Sequence, residues 1–132
     1  MRPSPITVRL LNRLVLRTAL WDVYALEVPR GRTGGVQRVP VVPVDVGEDR
    51  FVVSNFGESA WVRNLRAAGV LTLARKGERT TYQAVEVPVE RRGPVLRAYR
   101  AKAGWQVAYY FWRRPDPADH PVFSLRRTPP TG

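Results

Sequence analysis

Six short runs of β-branched and aromatic residues, separated by turns that contain glycine, constrain the fold of this chain more than any other feature. Short runs of this composition, bounded by turn residues, are typical of β-strands. The turns Gly47-Glu48-Asp49 and Lys76-Gly77-Glu78 each predict a hairpin. With helices between them, six strands predict an α+β domain built on a small antiparallel barrel. The six runs cover residues 21–29, 36–46, 51–53, 70–74, 80–87 and 120–125.

Two helices are predicted between these strands. Residues 60–68 carry an apolar face between Ser59, a suitable N-cap, and Gly69, a suitable C-cap. A longer helix is predicted over residues 88–103, with Pro94 tolerated in its first turn. The 132 residues therefore predict one domain, 1–132, whose core spans 21–125 and whose tail, 126–132, is disordered.

An additional amphipathic helix is predicted near the N-terminus, within residues 1–20. Between residues 6 and 20, Arg9, Arg13 and Arg17 form a basic stripe beside an apolar one. Such a helix either packs on the domain with a solvated basic face or lies weakly on an anionic membrane surface. The sequence leaves both alternatives open.

The composition excludes several kinds of chemistry. The sequence has no Cys and one His, His120. Disulfides, thiolate nucleophiles, iron–sulfur clusters and zinc sites with several His ligands are therefore excluded. If the chain is an enzyme, we expect a bound cofactor to carry the chemistry.

The charge favours an anionic partner. Lys and Arg number 22 against 11 Asp and Glu, a formal net charge of +11. Nucleic acid, an acidic membrane surface, or a phosphorylated or polyglutamylated small molecule would each match this charge. The sequence shows neither a signal-peptide pattern nor an apolar run long enough to span a bilayer. We therefore expect a cytoplasmic location, with the inner membrane face as a possible peripheral site.

Three segments are candidates for a binding site. The first is the turn from Arg30 to Arg38, where glycines expose backbone N–H groups to an anion and arginines can close on its oxygens. The second runs from Ser54 to Asn64, where a strand end leads directly into a helix N-terminus. The third is the aromatic run around Tyr109, because aromatic rings stack on flat conjugated ligands. Each pattern alone is also compatible with an ordinary turn, cap or core.

Taken together, these segments resemble one family. Three of its motifs occur in a fixed order along the chain. They are the turn Gly31-Arg32-Thr33-Gly34, the strand ending Val53-Ser54-Asn55, and the helix Ala60-Trp61-Val62-Arg63-Asn64-Leu65. They are followed by Ala84-Val85-Glu86-Val87-Pro88 and His120-Pro121-Val122-Phe123. This pattern is similar to that of the deazaflavin-dependent nitroreductases of actinobacteria, and the likeness extends over residues 24–125.

The resemblance implies a split β-barrel and coenzyme F420, a deazaflavin with a phospholactate and oligoglutamate tail. It implies hydride transfer from the reduced cofactor to a quinone, nitroaromatic or similar acceptor. The implied cofactor-binding residues are Gly31, Arg32, Thr33, Gly34, Arg38, Val53, Ser54, Asn55, Trp61 and Asn64, and the implied substrate-side residues are Tyr109 and Tyr110.

Two points remain open at this stage. An arginine is expected three residues after the last glycine of the turn; counting from Gly34 gives Gln37, and counting from Gly35 gives Arg38. A one-residue slip on a strand turns a side chain to the opposite face.

The alternative functions are a basic small-barrel nucleic-acid-binding protein, or a split-barrel protein that uses FMN or only sequesters a cofactor.

Overall fold

The computed structural model describes residues 22–31 and 33–128, except for the side chains of Trp105 and Gln106. The predicted helix over residues 6–20, Arg32 of the glycine turn, and residues 129–132 of the predicted tail lie outside the described residues.

The described residues form one antiparallel sheet with three helices. In chain order, the strands are β1 (Tyr24–Pro29), β2 (Val36–Val41), β3 (Val44–Val46), β4 (Asp49–Val53), β5 (Val70–Arg75), β6 (Glu78–Glu86) and β7 (Val122–Arg127). The helices are α1 (Ala60–Ala68), α2 (Gly93–Ala103) and α3 (Trp105–Arg113), with short 3-10 turns at Val89–Arg91 and Pro117–Asp119.

The sheet is curled because its two edge strands are consecutive in the chain. The strand order is β2-β1-β5-β6-β7-β4-β3. Only Val42 and Pro43 connect the end of β2 to the start of β3. Val41 and Val44 are three Cα–Cα steps apart and so lie at most about 11 Å from each other, which brings the opposite edges of the sheet together. This geometry gives the curled half-barrel on which the site is built.

The structure changes the predicted elements in four places. The run over 36–46 is two strands, giving seven strands where six were predicted, because Val42 and Pro43 carry the chain from one edge of the sheet to the other. The predicted 88–103 helix begins only at Gly93, after a 3-10 turn. The aromatic run forms α3. Finally, Arg126 and Arg127 extend β7, paired with β6, and do not belong to a tail.

Alternation along the central strands fills two cores. On β4, Val52 packs with the buried residues beneath α1, whereas Phe51 and Val53 pack beneath α2 and α3. On β7, Phe123 packs in the core beneath α1, and Val122 packs in the core beneath α2 and α3. Side chains of successive strand residues point to opposite faces, so both faces of this part of the sheet are buried. The strand end that follows Val53 is therefore held between the two cores.

Candidate functional site

A cleft of about 600 Å³ lies where the curled sheet meets the helices. Most of its wall is apolar, and a few polar side chains converge on it, which is the usual construction of a cofactor site. The walls come from β2, the segment after β4, the start of α1, and the facing sides of α2 and α3. Its lining includes Gln37, Val39, Val41, Val53, Asn55, Ser59, Trp61, Tyr99 and Tyr110.

Ser59 places an uncommitted hydroxyl group in this cleft. It is the N-cap residue of α1, with extended backbone, but its side chain makes no capping hydrogen bond. Its Oγ is shielded from solvent and has no hydrogen-bond partner among the described residues. The first turn of α1 has no acidic residue, so the positive end of the helix is not neutralised locally. A ligand oxygen is the natural partner for this corner, because a shielded polar group without a partner is costly.

Asn55 is oriented by a buried tyrosine. The Tyr99 hydroxyl donates a hydrogen bond of 2.9 Å to Oδ1 of Asn55. Burial raises the pKa of Tyr99 to about 12, so this hydroxyl stays protonated as a donor at neutral pH. Because the amide oxygen is occupied, Asn55 presents its N–H groups as donors toward a ligand in the cleft.

Trp61 and Asn64 occupy successive turns of α1 but have different surroundings. Trp61 is buried, lines the cleft, and packs against Phe123 with ring centroids 6.1 Å apart. Asn64 donates a hydrogen bond of 2.7 Å to Oε1 of Gln37 on β2. Trp61 therefore supplies a flat apolar wall, and Asn64 ties the helix to the strand that forms the opposite wall.

The structure brings only part of the predicted site together. Val53, Asn55, Trp61 and Tyr110 line the cleft. Ser54 lies buried behind it, with its hydroxyl donating to the carbonyl oxygen of Gly57 over 2.9 Å.

The predicted phosphate turn lies at the end of the β1–β2 hairpin. Gly31, Thr33 and Gly34 are exposed there, and the Arg30 N–H closes the turn onto the Gly35 carbonyl at 3.1 Å. Strand β2 leads directly from this turn to Gln37, the first of its residues in the cleft wall. The turn therefore adjoins one end of the cleft.

The register of β2 decides whether Gln37 or Arg38 faces the cleft. Gln37 and Val39 line the cleft. Arg38 points to the other face of the strand, where its Nε lies 2.5 Å from Oε2 of Glu27, which also pairs with Arg79. Gln37 is therefore the residue of this pair that faces the cleft.

A second cleft of about 600 Å³ adjoins the first. The two share Asn55, Phe56 and Tyr110, and the rings of Phe56 and Tyr110 meet edge to face at 4.7 Å. Tyr109 lines only this second cleft, beside Arg113. The predicted pair of tyrosines is thus divided: Tyr110 stands between the clefts and Tyr109 stands in the outer one.

The sequence assigns no cofactor contact to Gln37, Ser59 or Tyr99, although Ser59 lies within the candidate segment from Ser54 to Asn64. Alternation along β2 was a usable signal for Gln37, because it lies on the same side as Val39 and Val41. Ser59 was identified only as a cap. Tyr99 was assigned to an apolar helix face, and its hydroxyl gave no sign of the partner that lies 44 residues away.

Two other kinds of site are not found within the described ranges. None of the helices in residues 22–31 and 33–128 is long and apolar enough to cross a membrane. In the same residues, no group of His, Asp and Glu side chains is arranged to hold a metal ion.

The curled sheet and its apolar cleft with convergent polar groups define a split-barrel protein of the cofactor-binding class. A sequence profile of the F420H(2)-dependent quinone reductases matches residues 7–112, and the chain belongs to this family. The resemblance noted in the sequence is thereby confirmed, together with reduced coenzyme F420 as the reductant.

Solved structures agree with the fold. The F420H2-dependent reductase FDR-A matches with a TM-score of 0.63 at 18% identity, covering 80% of this chain and 94% of its own. A domain-swapped dimer matches with a TM-score of 0.60 at 17% identity, over 93% of this chain and 100% of that one. A FAD-binding protein of Mesorhizobium loti matches with a TM-score of 0.54 at 13% identity, over 92% and 88%. No curated protein matches the sequence.

Proposed function

We propose that this chain binds the deazaflavin ring of F420 in the first cleft and reduces an acceptor that enters through the second. The quinone or nitroaromatic class is the proposed acceptor. The observation that carries the proposal is the hydroxyl of Ser59, which has no partner among the described residues and is shielded at a helix N-terminus in a mostly apolar cleft. A flat heterocycle with polar edges fits such a cleft, because its faces meet apolar walls while its oxygens meet donors.

The residues of the first cleft have separate tasks in this proposal. Trp61 and Val53 cover the ring and exclude water. Ser59 and the N–H groups of Asn55 bind its polar edge, and Tyr99 fixes the orientation of Asn55. The bound reduced cofactor supplies a hydride, and the protein supplies position and surroundings.

The anionic tail of the cofactor would extend toward the β1–β2 turn. Arg32 and Thr33, flanked by Gly31 and Gly34, are the proposed phosphate-binding residues. The formal net charge of +11 favours a tail of several negative charges. Gln37 lies between this turn and the centre of the cleft, and its bond to Asn64 holds the connecting wall in place.

Tyr110 is the proposed substrate-side residue. It stands where the two clefts meet. A hydroxyl group at this position can donate a hydrogen bond, or a proton, to the oxygen of a quinone that has received a hydride. Tyr109 lies farther out and would contact only the acceptor as it enters.

Titration of cofactor fluorescence tests this assignment. We expect F420 to bind more tightly than FMN, and a single-stranded oligonucleotide to leave F420 bound. Ser59→Ala should raise the F420 dissociation constant about fivefold, the effect of losing one hydrogen bond of about 1 kcal/mol. Ser124→Ala on β7 is the matched control, because Ser124 is away from the cleft. Equal or tighter binding of FMN would contradict the proposal.

We also propose weak contact with anionic membrane through residues 6–20. The basic stripe of Arg9, Arg13 and Arg17 supports it, because each Arg near an anionic surface is worth about 1 kcal/mol. The full chain should sediment with anionic vesicles at low salt, and a chain lacking residues 1–18 should bind F420 without sedimenting. Absence of sedimentation by the full chain would favour a soluble acceptor.

A further inference from the structure

The single histidine of the chain is fully buried beside the cleft, with both ring nitrogens facing backbone carbonyl groups. Nδ1 of His120 lies 3.0 Å from the carbonyl oxygen of Ser54, and Nε2 lies 2.6 Å from that of Arg114. A neutral imidazole has one N–H donor, whereas an imidazolium has two. Carbonyl oxygens only accept hydrogen bonds, so the ring satisfies both contacts only when it is protonated.

These two carbonyl groups belong to the two segments that separate the clefts. Ser54 precedes Asn55 and Phe56, and Arg114 follows α3, which carries Tyr110. His120 therefore links the loop after β4 directly to the end of α3.

Two further contacts show that this loop rests on the histidine segment. The Ser54 N–H donates to the carbonyl oxygen of Pro121 over 2.9 Å. Gly57 has a positive φ of 63°, and a Cβ atom there would lie 3.4 Å from the carbonyl oxygen of Asp119. The loop after β4 therefore contacts the segment that carries His120 at both Ser54 and Gly57.

The ring is held in place by an aromatic side chain. His120 stacks on Phe111 with centroids 4.0 Å apart and planes 16° from parallel. Arg100 also lies over the ring of Phe111, at 5.0 Å.

The charged side chains that neighbour His120 in the chain, and Arg92, have partners of their own. Asp119 pairs with Arg114 at 3.8 Å, and the Asp116 carboxylate accepts from the Ala118 N–H. Arg92 donates to the Pro117 carbonyl oxygen and pairs with Glu86. Within residues 22–31 and 33–128, no carboxylate forms an ion pair with the ring, so the two carbonyl groups are its polar partners.

We propose that His120 is a positioning residue whose protonation closes the wall between the two clefts. Protonated, it donates to Ser54 and Arg114 together and holds Asn55, Phe56 and Tyr110 in place. Deprotonated, it loses one of these bonds and leaves an imine lone pair against a carbonyl oxygen, which loosens one segment. The effect on F420 binding rests on the proposed function; the state of the ring does not.

Nitrogen-15 NMR of the unliganded protein tests the ring directly, because one histidine gives one pair of imidazole signals. We expect both nitrogens to be protonated at the acidic end of the folded range. One should lose its proton as pH rises, with coincident shifts of the Ser54 and Arg114 carbonyl carbons. A ring that stays neutral throughout, or that titrates without moving these carbonyl signals, would overturn the proposal.

F420 affinity across the same pH range provides the functional test. The dissociation constant of the unmodified chain should rise about fivefold more than that of His120→Gln as the ring deprotonates, the loss expected for one hydrogen bond. Ionisable groups of the cofactor affect both proteins equally and cancel in this comparison. Identical pH profiles of F420 affinity for the two proteins would show that His120 does not position the cleft wall. If F420 binds neither protein, the proposed function fails, and the NMR titration still decides the state of the ring.

Discussion

The side-chain amide of Asn64 donates a hydrogen bond of 2.7 Å to Oε1 of Gln37, and this bond joins α1 to the edge strand β2. Gln37 lies in the cleft wall, two residues before Val39. An edge strand has neighbours on one side only, so its position depends on contacts of this kind. The bond thereby holds one cleft wall at a fixed distance from the other.

Breaking this bond should weaken both cofactor binding and the fold. Asn64→Ala is expected to lower the free energy of unfolding by about 1 kcal/mol and to raise the F420 dissociation constant severalfold. Gln37→Ala should behave alike, and the double variant should lose less than the sum of the two, because both changes remove one interaction. Urea unfolding and fluorescence titration measure the two effects. Strictly additive losses would show that the two residues act independently.

The position of Tyr110 between the clefts predicts a defect in turnover. Tyr110→Phe retains the ring that packs on Phe56 but removes the hydroxyl. If the hydroxyl serves the acceptor, kcat should fall at least about tenfold while the F420 dissociation constant stays unchanged. Tyr109→Phe, in the outer cleft alone, is the matched control and should alter KM for the acceptor more than kcat. Equal kcat values for the two variants would contradict this assignment.

Arg32 of the predicted phosphate turn and Arg38 on β2 should differ in their effect on the cofactor. Arg32→Ala is expected to weaken F420 binding by about 1–3 kcal/mol, the scale of one charge-assisted contact. Arg38→Ala should leave F420 binding nearly unchanged, because Arg38 faces Glu27 and not the cleft. Both variants remove one positive charge from the same hairpin, so a general electrostatic effect would lower affinity equally. Equal losses of F420 affinity in the two variants would show that Arg32 is a solvated turn residue without a direct contact to the cofactor.

Glu27 should make the fold sensitive to acid. The hydrogen bond from Arg38 holds the pKa of this buried carboxyl below its ordinary value, although burial acts in the opposite direction. A lowered folded-state pKa gives stability that is complete above the unfolded value of 4.5 and is lost as pH falls through the folded value. Urea unfolding from neutral pH downward should show this loss.

The variant Glu27→Gln should be less stable at neutral pH by about 1–2 kcal/mol, because Arg38 and Arg79 lose their shared partner but remain largely solvated. Its stability should also fall less steeply in acid, since one titrating carboxyl is gone. Glu48→Gln, at an exposed turn position, should leave the neutral-pH midpoint in place. An unchanged acid slope in Glu27→Gln would show that other carboxyls account for it.

Local sequence patterns were sufficient for most secondary structure but not for the ends of the sheet. The hairpins at Gly47 and Gly77, and α1 between Ser59 and Gly69, follow from turn and capping residues that act over a few positions. The run over residues 36–46 resembles one strand because valines recur along its whole length. Its division at Val42 and Pro43 depends on the curvature of the whole sheet, which no local pattern encodes.

The sequence predicts individual residues of the candidate site but not the hydrogen bonds that join them. Trp61 and Asn55 were found because a strand end followed by a helix N-terminus is visible in the sequence. The contacts that orient them, Tyr99 to Asn55 and Asn64 to Gln37, join residues distant along the chain. The choice between Gln37 and Arg38 required the strand register, in which one residue reverses the face.

The short link between β2 and β3 has a consequence for how the chain reaches its folded state. The link itself orders only a few residues when the sheet closes. The neighbouring strands, however, pair with strands that are distant along the chain: Val52 on β4 pairs with Phe123 on β7. Closing a loop of about 70 residues costs conformational entropy before any contact compensates for it, and chains dominated by such pairings fold slowly. During that interval the apolar strands are exposed, and a cofactor that binds only the folded sheet stabilises it after it has formed without shortening the interval.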